Sequence, residues 1–99
     1  MPTVKIMTKV RSHAVKDELQ TRLRRIEGQV RGVQRMIDDD RECHEIVQQL
    51  NAVNAAVRNA THHFVRAYAK ECLTRAKELD YRESRVMLDQ LMDLMARVK

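Results

Sequence analysis

Three features of this 99-residue chain predict an all-α fold. Apolar residues recur in steps of three, four or seven along most of its length, the stripe of amphipathic helices. Two Gly, one Pro, 3% aromatic and 33% charged residues favour long helices over sheets or loops. Helix-start signals stand at Ser12, Asp39 and Asp80. A single domain of this size encloses a modest core, so the three helices are expected to bury further surface against a second copy.

Residues 1–11 alternate weakly (Val4, Ile6, Thr8, Val10) and carry Lys5, Lys9 and Arg11. A strand here would lack a partner strand. The segment is therefore read as a mobile basic arm ahead of one helical domain, 12–99.

Ser12 is the expected N-cap of a first helix over 13–38. Leu19, Leu23, Ile26, Val30, Val33 and Ile37 follow a 4-3-4-3-4 spacing, read as the seam against the next helix. Arg24, Arg31 and Arg35 fall on the far face with Gly28 in the same row, and Gly32 lies nearby. Each glycine inside a helix costs about 1 kcal/mol relative to Ala. Close approach of a phosphate backbone accounts for that cost, and so does a neighbouring subunit's helix.

The run Asp38-Asp39-Asp40 separates the first helix from the second, and Asp39 with Glu42 has the spacing of a capping box. The second helix then runs to about Leu79, fraying over 73–79, with Cys43, Ile46, Leu50, Val53, Val57, Phe64, Tyr68 and Cys72 as its stripe. Cys43 lies in its first turn, where the positive end of the helix dipole favours an anion, although adjacent Glu42 opposes this. Its two cysteines, the only two in the chain, are 29 residues apart. At 1.5 Å per residue that is roughly 43 Å along one helix. They cannot meet within one straight helix. In an antiparallel pair, Cys43 of one chain comes beside Cys72 of the other, with the two-fold axis near Val57 and Arg58. Ala52, Ala55, Ala56 and Ala60 crowd that midpoint, and small side chains permit close helix approach. The expected assembly is a homodimer spine with a two-cysteine site at each end.

Asp80 with Glu83 repeats the capping signature and opens a third helix, 81–97, striped by Met87 or Leu88, Leu91, Leu94 or Met95, and Val98.

The formal charge of +5 is unevenly placed. Residues 9–35 hold eight basic side chains against three acidic ones, and the rest of the chain is balanced. That is the footprint of a polyanion-binding face. No apolar run approaches the roughly 20 residues of a membrane span. The opening MPTVKIMTKVR lacks the apolar core of a secretory signal. A cytoplasmic location is expected, where thiols stay reduced and a cysteine pair suggests reactivity or metal binding. No acid–base pair, phosphate loop or cofactor motif points to an enzyme.

The string RLRRIEGQVRGVQRMIDDDRECHEIVQQLNAVNAAV, from Arg22 to Val57, resembles the signature of the CsoR/RcnR-type bacterial repressors, and the likeness extends over about residues 12–75. The resemblance implies a three-helix protomer, a disc-shaped dimer of dimers and binding to double-stranded operator DNA. It implies that an inducer at an inter-subunit site weakens that binding. Carried over residue by residue, the DNA-binding set is Arg22, Arg24, Arg25, Gln29, Arg31 and Arg35, with Lys5, Lys9, Arg11 and Lys16 adding contacts from and beside the arm. Arginine forks suit phosphate, and the chain shows no helix-turn-helix pattern, so shape and phosphate contacts are expected to outweigh base reading.

The family's inducer site has three positions, here Cys43, Tyr68 and Cys72. Copper, nickel and formaldehyde sensors carry His at the second. Cys–non-His–Cys is similar to the CstR branch, which senses sulfane sulfur. The expected chemistry is therefore attack by Cys43 on sulfane sulfur and resolution by the partner's Cys72, with no resident cofactor. Copper(I) bound by the same two thiolates is the leading alternative. His44, His62 and His63 are poorly placed as a third ligand, and read as surface or interface residues. Formaldehyde sensing through Pro2 is a third reading. A basic helical nucleoid or scaffold protein with passive cysteines is the rival from another class.

Overall fold

The computed structural model describes residues 9–99. It contains α1 (His13–Asp38), α2 (Cys43–Ala76) and α3 (Tyr81–Ala96), and no strand among those residues. Residues 1–8, including Pro2, Lys5 and the alternating Val4, Ile6 and Thr8, lie outside the described part.

The expected caps form at two of the three helix starts. The Ser12 hydroxyl accepts the Val15 N–H at 3.3 Å. At α3 the capping box is complete: Asp80 Oδ1 accepts the Glu83 N–H at 2.8 Å, and the Asp80 N–H donates to Glu83 Oε1 at 3.5 Å. The box expected from Asp39 and Glu42 is absent. Asp39 instead closes α1, its N–H donating to the Arg35 carbonyl at 2.8 Å. Asp40 takes a left-handed conformation (φ 54°) that turns the chain, and Glu42 becomes the N-cap of α2 without a side-chain bond. With αL needed immediately after the helix, the aspartates serve the stop of α1 rather than the start of α2.

Both α1 and α3 pack on α2 and make no contact with each other. The result is long and thin, 59 × 25 × 20 Å with a radius of gyration of 18.4 Å. A compact domain of this length has a radius of about 13 Å. The packed interior is correspondingly small. Ile26 and Val33 of α1 are buried against the α2 side that carries Ala60, while Tyr68 and Cys72 of α2 form a cluster with Met87 and Leu91 of α3.

The α1 seam is offset from its expected position. Val15, Leu19, Ile26, Val33 and Met36 face inward, with Arg22 among them, whereas Leu23, Val30 and Ile37 are 39%, 42% and 55% exposed. The apolar stripe is wider than one partner helix covers. Likewise Ala60 is buried and Ala56 half-buried on the α1 side, leaving Ala52 and Ala55 exposed near the midpoint of α2. Neither Gly28 nor Gly32 has a non-local neighbour within 4 Å of an added Cβ, so nothing among the described residues requires either glycine.

Removing the Asp80 side chain should leave the Glu83 N–H in the first turn of α3 unpaired. Asp80→Ala is expected to destabilise the protein by about 1 kcal/mol, read as a lowered denaturation midpoint with an unchanged slope.

Candidate functional site

The two thiols sit in opposite environments. Cys43 is the first residue of α2 and is exposed. Its neighbours are paired among themselves. The Arg41 Nε–H donates to Glu45 Oε2 at 2.8 Å, an ion pair that raises the Arg41 pKa and lowers that of Glu45. His44 Nδ1 lies 3.2 Å from Glu42 Oε2. His44 is thus directed to a carboxylate rather than to the thiol. His62 and His63 are exposed on α2, and His63 lines a cleft against α1.

Cys72 is 1% exposed, lying under Tyr68, Met87 and Leu91. Burial pushes its thiol pKa up, and a hydrogen bond with Tyr68 opposes this in part. Burial also pushes the Tyr68 phenol up to about 12, helped by the nearby Cys72. The Tyr68 ring stacks on Phe64 with centroids 6.4 Å apart. At neutral pH a neutral phenol therefore stands beside a shielded thiol.

Cys43, Leu50, Val57, Tyr68 and Cys72 occupy one row of α2, as the helical repeat requires. The row has two halves. α3 covers Tyr68 and Cys72, while Leu50 and Val57 stay 47% and 46% exposed and Val47 beside them 53%. Each protomer thus carries one open and one covered thiol at opposite ends of the same rod. Among the described residues, no cluster of three or more His, Cys, Asp or Glu side chains is arranged to hold a metal ion. A two-sulfur site needs a second chain.

The basic residues divide in the same way. Arg24, Arg25, Gln29, Arg31 and Arg35 are exposed along α1, as is Lys16 near its start. Arg22 is turned inward. It lines the cleft between α1 and α2 with Val15, Leu19, Ala60 and Phe64, and its side chain is 30% exposed. It pairs with Glu18 at 3.3 Å, and its Nε is buried without a hydrogen-bond partner. Arg31 lies 3.9 Å from Glu27, a pair too exposed to hold it firmly.

Two residues that the spacing arguments did not single out also bear on the site. Val10 packs half-buried against the Tyr68–Cys72–Met87–Leu91 cluster. Glu71 accepts the N–H groups of Arg11 and Ser12 at 3.0 and 2.9 Å. The end of the segment read as a mobile arm is thereby seated on the protein, with the Lys9 and Arg11 side chains exposed. Hydrophobic spacing carries no signal for either contact. The only hint in the sequence is an acid placed directly before Cys72.

Residues 15–97 match the family described as metal-sensitive transcriptional repressor. The copper-sensing transcriptional repressor CsoR of Bacillus subtilis is 44% identical over 66 residues, which cover 67% of this chain and 65% of that relative. The copper-sensing transcriptional repressor RicR of Mycobacterium tuberculosis is 43% identical over 61 residues, 62% of this chain and 64% of that one. The matched part thus spans slightly under two thirds of both curated relatives. Among solved structures, the nickel-responsive transcriptional regulator InrS superposes with a TM-score of 0.73 at 28% identity, covering 96% of this chain and all of that one. The copper-sensing repressor CsoR with Cu(I) from Geobacillus thermodenitrificans gives 0.72 at 33% identity, covering 91% and 92%.

The environments of the thiols predict their reactivity. In the reduced native protein Cys43 should alkylate at least about tenfold faster than Cys72, since reaction requires an accessible thiolate, and peptide mass spectrometry of a timed iodoacetamide reaction reads this directly. The raised values also predict a pH dependence. Below the ordinary thiol value of 9.0 Cys72 and Tyr68 are both neutral, folded or unfolded, and their contribution is intact. Above it the unfolded chain ionises first, so stability should fall with pH until Tyr68 itself ionises at about 12. Tyr68→Phe should flatten the part of that fall above pH 10 in thermal melts.

Proposed function

Since the chain belongs to the metal-sensitive transcriptional repressor family, we propose that it is a cytoplasmic repressor of operator DNA, released when an inducer joins Cys43 of one protomer to Cys72 of its antiparallel partner. Members of the family are repressors, not enzymes. The observation that carries the reading is the pair of cysteines at opposite ends of one 34-residue helix, with the row between them half uncovered. An antiparallel copy laid on that row buries Val47, Leu50 and Val57 and brings the open thiol of each chain toward the covered thiol of the other. A further pairing of such dimers into a disc fits the uncovered row Leu23, Val30 and Ile37 of α1.

DNA binding is assigned to the exposed Arg24, Arg25, Gln29, Arg31 and Arg35, with Lys9, Arg11 and Lys16 beside them. Arg22, turned into the cleft between α1 and α2 and paired with Glu18, is left out of this set. The open space at Gly28 and Gly32 admits a phosphate backbone close to the helix. No helix among the described residues is long and apolar enough to cross a membrane.

Both curated relatives described above are copper-sensing repressors, and this favours copper(I) as the inducer. Cys43 and Cys72 of facing chains would hold it. Two thiolates satisfy a soft monovalent ion in linear coordination. Tyr68 favours a second reading, sulfane sulfur. A neutral phenol is a poor ligand for a soft metal, while a two-thiol site needs no third group for sulfur chemistry. There the Cys43 thiolate would attack the terminal sulfane sulfur, forming a persulfide and releasing the shortened sulfide. The Cys72 thiolate of the facing chain would then attack Cys43 Sγ and expel hydrosulfide. Both cysteines end oxidised in a disulfide, and the transferred sulfur ends reduced.

One experiment separates these readings. A duplex selected by the reduced protein from a random pool is titrated alone, with copper(I), with tetrasulfide and with formaldehyde. Copper(I) at two ions per dimer is expected to weaken binding at least about tenfold, with Cys43→Ala and Cys72→Ala unresponsive. Loss with tetrasulfide alone, together with a covalent dimer on a non-reducing gel, selects the sulfur reading. Response to formaldehyde selects the third inducer. Equal binding under all four conditions identifies a passive basic protein and overturns the proposal. Binding should also weaken steeply with salt, and Arg31→Ala with Arg35→Ala should each lower the salt slope by about one.

A further inference from the structure

Glu71 stands between the buried thiol and the basic end of α1. It immediately precedes Cys72 on α2, and its Oε1 accepts two backbone N–H groups from 60 and 59 residues away, those of Arg11 and Ser12. Ser12 is the N-cap of α1. The carboxylate therefore lies at the positive end of the helix dipole and occupies donors that the helix itself cannot satisfy. One residue before this clasp, Val10 rests on the cluster that encloses Cys72. The surroundings of Cys72 thus touch the start of α1 twice, through an apolar side chain and through a charged hydrogen bond.

The clasp is also incompletely satisfied. Glu71 Oε2 is buried and has no hydrogen-bond partner among the described residues. A buried carboxylate oxygen without a partner is costly, so a displacement that exposes it to water offsets part of the lost bonds to Arg11 and Ser12. Interiors are close-packed, and a site that is 1% exposed cannot take an added atom without moving its walls.

We propose that Glu71 is the positioning residue that transmits the state of Cys72 to the DNA-binding helix. A group joined to Cys72 displaces the Tyr68–Met87–Leu91 wall, Val10 loses its seat, and the carboxylate releases the Arg11 and Ser12 amides. Lys9 and Arg11 then lose their register with the arginines of α1. The link rests on the reading of Cys72 as a sensor thiol and of α1 as the DNA face.

The test uses the full chain, amide hydrogen exchange, and the selected duplex with copper(I) and tetrasulfide as probes. In the unsubstituted protein, loading of Cys72 by either probe should speed exchange at Arg11 and Ser12 by at least about tenfold. Glu71→Ala should show fast exchange there before loading. It should take up the probe as the unsubstituted protein does, yet its ratio of DNA affinities without and with probe should shrink at least about tenfold. Glu71→Gln, whose carbonyl accepts the same two N–H groups, should lie between them, and melting curves confirm that each variant folds. Amides that stay protected on loading, or an unchanged affinity ratio in Glu71→Ala, overturn the link while leaving the dithiol switch standing. Failure of both probes to load Cys72 overturns both. The exchange measurement on the unsubstituted protein decides the matter even where Glu71→Ala does not fold.

Discussion

Among the described residues, a single 34-residue helix carries every contact between helices. Helices α1 and α3 lie on different sides of α2 and do not touch, so neither can close a core with the other. The interior is divided into two thin seams, joined by the rod between them and by Val10 at the approach to α1. This explains the elongated shape, and it explains why an apolar row on α2 and another on α1 remain in the open. In water such rows favour burial, and the 34 residues of α2 are long enough for a second copy to cover them in the proposed dimer.

The same rod sets the chemistry. By placing one thiol at its open end and the other under α3, it makes two cysteines of one sequence chemically unlike. Cys43 meets solvent. Cys72 is shielded, kept protonated by its apolar walls and hydrogen-bonded to a phenol that stays neutral. A site assembled from one of each joins a reactive group to a group coupled to the core. In the proposed site, a group joining the two would therefore act on the packing around the second. α3 and the residues just before α1 both rest near Cys72, so the buried thiol is also the one tied to other elements.

Much of the architecture was legible because its signals are local. The span of α1, the Ser12 cap, the first-turn position of Cys43 and the Asp80–Glu83 box rest on interactions within four residues, and all are present. The Asp39–Glu42 box failed although its spacing was right. The same aspartates were needed to stop α1, and periodicity does not say which of two adjoining helices a capping residue serves. The α1 seam shifted by about one residue because six apolar positions and one partner helix leave the choice of covered edge to packing. Arg22 turned inward for the same reason.

The sequence by itself determined the helices, the placing of both thiols on one row of α2 and the concentration of positive charge on α1. These follow from the helical repeat and from composition, which act along the chain. Only the tertiary structure decided which half of that row is covered and which arginine is drawn into the seam. It alone seated Val10 and the Arg11 and Ser12 amides against the neighbourhood of Cys72. Those outcomes depend on contacts between different helices, and in the case of Glu71 with Arg11 and Ser12 between residues some sixty positions apart. Such contacts are selected by the shape and direction of packed helices, and no repeat in the chain encodes them.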